Sequence, residues 1–473
     1  MQSTYSKLMK QVLVFTLTLV YLFSVTSNAF AESVSTNEKQ ELIDLWGQSV
    51  KANAKTLKSI AFNSNDNYED LQFLKTTLKD KRMVMLGESS HGSSEFNQAK
   101  VRLAQFLHNE MDFKVIAFES GLGETSGSYH QIEKLSTEEM LKKSIYGVWH
   151  TKELIPLFQS MKDQVKTDKP FVLSGFDMQP GYGYGNFLQD WLGPIDTVMA
   201  TEASTLEEKL AQLYTLDDWN EGNWDQDYTY LNTGYNKVKQ FLKDHELKLQ
   251  QQFPENKDML KIIKRVIDDR IYLIRNVLKQ QILYNSSIAL GKYDLSTSLR
   301  ENVVYLRDEM MANTLTWIAE DLYPNQKIIV WGHNYHVRKN NSIMELSFDI
   351  HPYKYGAVPN MAELLPSRLK KQSYTIGEFM YRGESAGNDG SSMPVKEIKD
   401  PSSLEAILNQ ASSPYSFLDL SQQTIKEEAN SWMFTSRKGL YWGVIEETFV
   451  PIEQYDGIIF VDHSTPSQYI KFQ

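Results

Sequence analysis

The sequence predicts an α/β fold: a central, mostly parallel sheet flanked by helices, with a large helical insertion between its third and fourth strands. Three observations carry that expectation. Four short apolar runs rich in β-formers, residues 82–86, 114–118, 171–176 and 327–332, each end in ionisable residues. Between them the chain has helical spacing, the pattern of parallel strands joined by crossover helices. From about residue 185 to 320 the pattern is almost wholly helical, too long for a simple crossover.

The elements follow in order. Lys7 and Lys10 precede an apolar run, residues 12–25, and then Ala29, Phe30 and Ala31. A basic start, a short apolar stretch and an A-x-A site predict a signal peptide, residues 1–31, cut before Glu32. The alternative is an uncleaved anchor, for which the run is short. The rest, residues 32–473, is expected to be one α/β domain, secreted or associated with the cell envelope, with no stable membrane insertion after cleavage. Residues 35–60 and 69–79 have helical spacing and are expected to pack on the sheet. The first strand leads through Gly87 to Glu88 and His91, the second to Glu119, the third to Asp177, and the fourth to His333 and His336. Two further apolar runs, 374–381 and 457–461, extend the sheet. In the insertion, stretches 204–251 and 256–284 are long helical patterns, and residues 217–230 are dense in Trp, Tyr and Asp. These are either a solvated connection or a cap that lines a cleft for a bulky substrate, with Trp219 and Trp224 as contact candidates. The loop 181–185, GYGYG, lacks the strand-to-helix context of a nucleotide-binding turn.

Composition narrows the function. The 473 residues are 41% hydrophobic and 23% charged, which fits a soluble globular protein long enough to bury a sizeable core. A net charge of -11 argues against nucleic acid or an anionic membrane as partner. There is no cysteine, which excludes disulfides, zinc–thiolate sites, iron–sulfur clusters and a cysteine nucleophile.

The strand-end residues are the candidates for chemistry. Histidine titrates near neutral pH and can take a proton from water, and a carboxylate beside it fixes its tautomer, so Glu88 and His91 read as a pair. Gly87 and Gly92 are expected to let the backbone approach a ligand. The plainer reading is a loop histidine and a glutamate at a helix start. Glu119 reaches the same sheet edge, where a second acid can orient water. Asp177 arrives there too, and an N-cap role competes with a functional one. His333 and His336, three apart after a strand, can polarise a carbonyl, protonate a leaving group or bind a metal. No serine is expected to be the nucleophile: Ser89 and Ser90 flank the pair, and nothing fixes them in that role.

Taken together, LGESSHGSSEF, AFES, SGFD, RDEMMANTLTW and VWGHNYHV resemble, in order and spacing, the erythromycin esterase family, which includes succinoglycan-biosynthesis-like members. The resemblance covers roughly residues 60–460. It implies a hydrolase with a central sheet, flanking helices and a deep cleft. The histidine of its GExxHG motif, the proposed general base, becomes His91, with Glu88 and Glu119 as acidic companions and His333 and His336 steadying water or the oxyanion. A basic residue nine positions after the base, often Arg in the family, is Lys100 here, a substrate-contact candidate that lacks the bidentate fork. Arg102 is expected to face another way on the helix, and Arg307 is a further candidate.

The expectation is therefore an exported hydrolase that cleaves a small-molecule ester or lactone with water activated by His91 and no cofactor. Three alternatives stand: a divalent-metal hydrolase using the same Glu/His cluster, a non-catalytic cell-surface binding protein, and cleavage of a peptide or amide.

Overall fold

The computed structural model describes residues 36–181, 183–252, 257–292, 295–346, 358–423 and 426–471. The expected signal peptide lies outside the described residues, as does Tyr182 of the glycine-rich loop. In chain order the strands are β1 (Lys55–Thr56), β2 (Met83–Leu86), β3 (Phe113–Gly121), β4 (Val172–Asp177), β5 (Lys327–Trp331) and β6 (Glu345–Leu346). They continue as β7 (Ser373–Ala386), β8 (Ser392–Pro394), β9 (Tyr415–Asp419), β10 (Arg437–Tyr441), β11 (Ile445–Phe449) and β12 (Gly457–Ser464). The main sheet has the order β1-β9-β12-β7-β2-β5-β3-β4, with β8 added at the end of β7. From β12 to β4 the neighbours are parallel, whereas β9 and β1 form an antiparallel edge. The six parallel strands are the six apolar runs of the sequence. A second sheet, β10-β11-β6, lies apart from the first.

Both faces of the parallel strands are covered, and the period of two decides which residue goes where. Met83 and Met85 of β2, with Val115 and Ala117 of β3, pack into a core shared with the insertion. Val84, Leu86, Ile116 and Phe118 point to the other face, against Leu103, Phe106 and Leu107 of the Ser94–Met111 helix. That helix starts where the Ser93 hydroxyl accepts the Phe96 N–H and stops at Asp112, whose φ of 61° no helix continues.

Between β4 and β5 the long helices are Thr197–Tyr214, Glu221–Asp244, Lys257–Asn276, Leu278–Ala289 and Val303–Trp317. Asp196, Asn220 and Asn302 cap three of them by accepting first-turn N–H groups. Their apolar stripes, Leu206, Leu231, Ile263 and Ile267 among them, join the sheet's core, each such side chain contributing roughly 1.5–3 kcal/mol of burial.

The N-terminal expectation needs correction. Residues 35–60 give one helix, Thr36–Asn53, and the chain then leaves as edge strand β1. Residues 69–79 give only a 3-10 turn, Glu69–Leu71, and a single helical turn, Leu74–Thr77. The preceding stretch explains this: Asn63, Asp66 and Asn67 each accept a backbone N–H two residues on, and such local bonds compete with a helix.

Candidate active site

Glu88 and His91 leave the carboxyl end of β2, near the middle of the sheet, where open α/β sheets place their ligands. Their loop is tightly packed. A Cβ on Gly87 would lie 2.2 Å from Asn334 Oδ1, and one on Gly92 1.9 Å from the Ala386 carbonyl. These glycines admit neighbouring chain rather than a ligand, which corrects the expectation for them. Glu88 is fully buried. Its Oε1 accepts from His91 Nδ1 at 2.7 Å and from the Trp149 indole N–H at 2.9 Å, and its Oε2 is paired with Lys100. Among the described residues His91 Nε2 has no hydrogen-bond partner, and His91 lines a cleft of about 730 Å³. Lys100 is buried beneath this pair, donating to the Gly332 carbonyl at 3.3 Å with its ammonium 4.2 Å from the Trp331 ring centre. Burial pulls that ammonium below its usual value, against the attraction of Glu88. Lys100 thus supports Glu88 from behind and does not line the cleft. Burial also pushes the nearby Glu378 carboxyl well above the usual range.

Glu119 emerges where β3 slips register against β4, between Phe118 and Gly121, a bulge of the kind that re-aims a side chain beside a site. Its Oε2 accepts the His333 backbone N–H at 2.8 Å. Its Oε1 takes Arg307 Nη2 at 2.8 Å and faces His336 Nε2 at 3.2 Å. Burial opposes its charge, but His336 and Arg307 hold the carboxyl well below the usual range. The His336 Nδ1 lies 2.8 Å from Asp308 Oδ1, and Asp308 also accepts the Met361 N–H at 2.6 Å. Burial disfavours the imidazolium, yet Asp308 and Glu119 push His336 up to about 9, so at neutral pH both ring nitrogens carry protons. The 3.2 Å approach of Arg307 Nη1 to His336 Nε2 then joins two donors and is no hydrogen bond. Arg307 spends its Nε on both oxygens of Asp177, at 3.2 Å each, and Nη2 on Glu119 and Asp177. Its Nη1 has no acceptor among the described residues, and Arg307 lines the cleft.

His333 differs from its neighbour. Its Nδ1 accepts the Tyr335 N–H at 3.1 Å, and Nε2 lies 3.3 Å from the Ser89 carbonyl. Each ring nitrogen therefore has a fixed role, as acceptor and donor respectively. Burial, with His91 alongside, holds the ring well below its usual value. A neutral imidazole with both nitrogens engaged braces the loop, and is not placed to donate to an oxyanion as the sequence suggested.

The structure thus brings His91, Glu119, Arg307, His333 and His336 to one cleft floor, with Glu88 and Asp177 holding them from beneath. It does not bring in Trp219 and Trp224. Those rings pack on each other at 5.7 Å and against the insertion's core, with Lys279 over Trp219. Instead, Tyr214, Tyr284, Val303 and Val304 supply the wall from the insertion, and Tyr441, Trp442, Val444 and Ile445 the wall from the β10–β11 hairpin. His150 hydrogen-bonds the Ile145 carbonyl and His463 is exposed. Arg102 turns to Asp66 and Asp70, away from the site.

Trp149 and Trp442 carry no signal in the sequence, and Asp308 has only its place beside Arg307 in RDEMMAN, which suggests a structural ion pair and not a partner for His336. The stretch Gly383–Gly387, GESAG, has the G-x-S-x-G spacing of a nucleophile elbow. It closes β7 where that strand pairs with β8 and makes no strand-to-helix turn. Ser385 is buried, with no partner for its hydroxyl among the described residues, so it is no elbow. Among the described residues no group of three or more histidines and carboxylates is arranged to hold a metal ion. The donor atoms explain why: those of Glu88 face N–H groups and an ammonium, and those of His336 face carboxylates.

Comparison with known proteins agrees with this architecture. The erythromycin esterase family model matches residues 108–464, beginning after the Glu88–His91 loop. The chain is similar to "Putative hydrolase YbfO" of Bacillus subtilis (strain 168), 36% identical over 448 residues, covering 94% of this chain and 96% of that protein. It is 22% identical over 338 residues to erythromycin esterase type II of Escherichia coli, covering 70% and 77% respectively. Among solved structures, a succinoglycan biosynthesis protein superposes with a TM-score of 0.66 at 20% identity, covering 92% of this chain and 100% of that one. A mutant of the erythromycin esterase EreC in its open conformation superposes with a TM-score of 0.59 at 17% identity, covering 89% and 100%. At such identities the structural likeness shows a shared fold.

Proposed function

The chain belongs to the erythromycin esterase family, and from that premise we propose that it hydrolyses an ester or lactone of a small molecule with water activated by His91. Family membership supports a hydrolase; the bond and the mechanism are our reading. The observation that carries it is the Glu88–His91 pair, with Nδ1 tied to a buried carboxylate and Nε2 turned to the cleft. A carboxylate on one ring nitrogen fixes the tautomer that leaves the other as base.

In this reading His91 Nε2 takes a proton from water as the water oxygen attacks the substrate carbonyl. Glu119, ionised beside His336 and Arg307, accepts the second water hydrogen and orients the attack. The negative charge that forms on the carbonyl oxygen is met by Arg307 Nη1, with the His336 imidazolium adding its field. His91 then returns its proton to the departing alkoxide. Metal-free chemistry is part of the proposal, because the oxygens of Glu88 and Glu119 and both nitrogens of His336 already face partners of opposite hydrogen-bonding sense. We also place the protein outside the cytoplasm, on the basic, apolar and A-x-A pattern of residues 1–31; mass analysis of the exported protein tests this, with a chain beginning at Glu32 as the expected result.

The central test is hydrolysis of aryl esters and lactones by the wild type and by His91→Ala. General-base removal is expected to lower kcat by about 10²–10⁴-fold. Equal rates in the two proteins would refute the mechanism.

A further inference from the structure

The β10–β11 hairpin has a feature that neither its fold nor the proposed chemistry requires. Its turn holds Trp442 at φ 57° and Gly443 at φ 71°, and the Val444 N–H returns to the Tyr441 carbonyl at 3.2 Å. Turns with two left-handed central residues favour Asn or Gly at the first position. A tryptophan there is strained, and such strain persists only where the surroundings over-determine it.

The surroundings are those of the site. The Trp442 N–H donates to the Ser89 carbonyl at 2.8 Å, inside the loop that separates Glu88 from His91. The Trp442 ring lies edge-on to His91, with centres 5.0 Å apart, and stacks on His333 at 5.2 Å. The hairpin's base is held independently. Glu447 accepts from Arg338 at 2.7 Å, and the Leu440 N–H reaches Glu405 at 2.7 Å. A fixed base and a strained tip keep one indole against the catalytic imidazole, with Trp149 on another side of it at 4.8 Å.

We propose that Trp442 is the specificity-determining residue of this cleft, closing one side of His91 so that only the smaller arm of an ester fits between the hairpin and the base. The bulkier arm then lies against the wall of Tyr214, Tyr284 and Val303. This rests on the esterase reading for its kinetics and on the cleft alone for its binding.

The test uses Trp442→Gly, which removes the ring and suits the left-handed backbone, and Trp442→Asn as a second small residue that this backbone accepts. Two ester series are compared with wild type: 4-nitrophenyl esters from acetate to octanoate, and acetates of alcohols of growing size. In at least one series, kcat/KM for the longest member relative to the shortest should rise about tenfold or more, the scale at which pockets discriminate methylenes. Trp442→Phe, which keeps an aromatic ring there, should keep the wild-type preference between long and short members whatever its absolute rate. The non-hydrolysable 4-nitrophenyl alkyl ethers are measured in parallel by thermal shift, with both small variants expected to gain binding for the longer ethers. If all esters fall by one common factor and the ether preference is unchanged, Trp442 is a brace and the proposal is overturned. If wild type cleaves no ester, the esterase reading fails, while the ether series still decides whether Trp442 limits the cleft.

Discussion

Two histidine–carboxylate pairs lie on one cleft floor, and they are built for opposite tasks. His91 shares its partner: Glu88 also accepts from Trp149 and Lys100, so one buried carboxylate serves three donors. His336 lies between two carboxylates, one on each ring nitrogen: Asp308, which also accepts the Met361 N–H, and Glu119, which also accepts from Arg307 and the His333 N–H. The second arrangement keeps a proton on each nitrogen, with the ring pushed up to about 9, whereas the first leaves Nε2 open to the cleft. The contrast shows that an imidazole beside an acid is not a base by that fact alone. Whether one ring nitrogen or both face a carboxylate decides the role.

The sharpest way to break the comparison is to remove the donors that share Glu88. Lys100→Met leaves that carboxylate without its buried cation, and breaking one side of a buried pair typically costs about 3–5 kcal/mol. The expected outcome is a large fall in thermal midpoint together with a loss of hydrolysis. If the midpoint and the rate are both retained, Lys100 does not support Glu88.

On the other side, pH tests the fixed cation. The folded-state value for His336 lies above its ordinary 6.5. Its contribution to stability is therefore complete below about 6.5 and is lost as pH rises through about 9. If the imidazolium also steadies the oxyanion, kcat declines over the same alkaline range. Asp308→Asn removes one of the two charges that hold the proton, and the decline should move to lower pH. An alkaline limb that Asp308→Asn leaves in place would separate His336 from the rate. Activity is also expected to survive dialysis against a chelator; loss restored by a single divalent metal would bring back the metal-dependent alternative.

How far this site could be read from sequence follows from where its residues lie. The six parallel strands were legible because a strand buried on both faces must be apolar throughout, and the acids and histidines were legible because they end those runs. Glu119 was placed correctly for an incomplete reason: β3 continues to Gly121, and a bulge rather than the strand's end turns the side chain inward. Trp442 and Trp149 were not legible. They come from a hairpin turn and a 3-10 turn, 293 residues apart in number, and only the tertiary fold sets both against His91. Asp308 was hidden by its neighbour. Adjacent helix positions normally face apart, yet Arg307 and Asp308 both reach His336 because that ring lies between them.

The smallest effect is expected at Trp219 and Trp224. The sequence leaves two readings of residues 217–230, a solvated connection or a cap that lines the cleft with these two rings as contact candidates, and the structure favours the first. Their rings are partly buried, Trp224 also touching Tyr228 at 5.7 Å, and the insertion's cleft wall is made by other residues. Trp219→Ala and Trp224→Ala should therefore leave kcat/KM on any cleaved ester within about twofold, while the lost packing lowers stability by about 1–3 kcal/mol. The counterpart is Tyr284→Ala, in the same insertion but on the cleft wall, which should raise KM. If instead the tryptophan variants raise KM and Tyr284→Ala does not, the substrate approaches across the outer surface of the insertion, and the two walls assigned to the cleft are the wrong two.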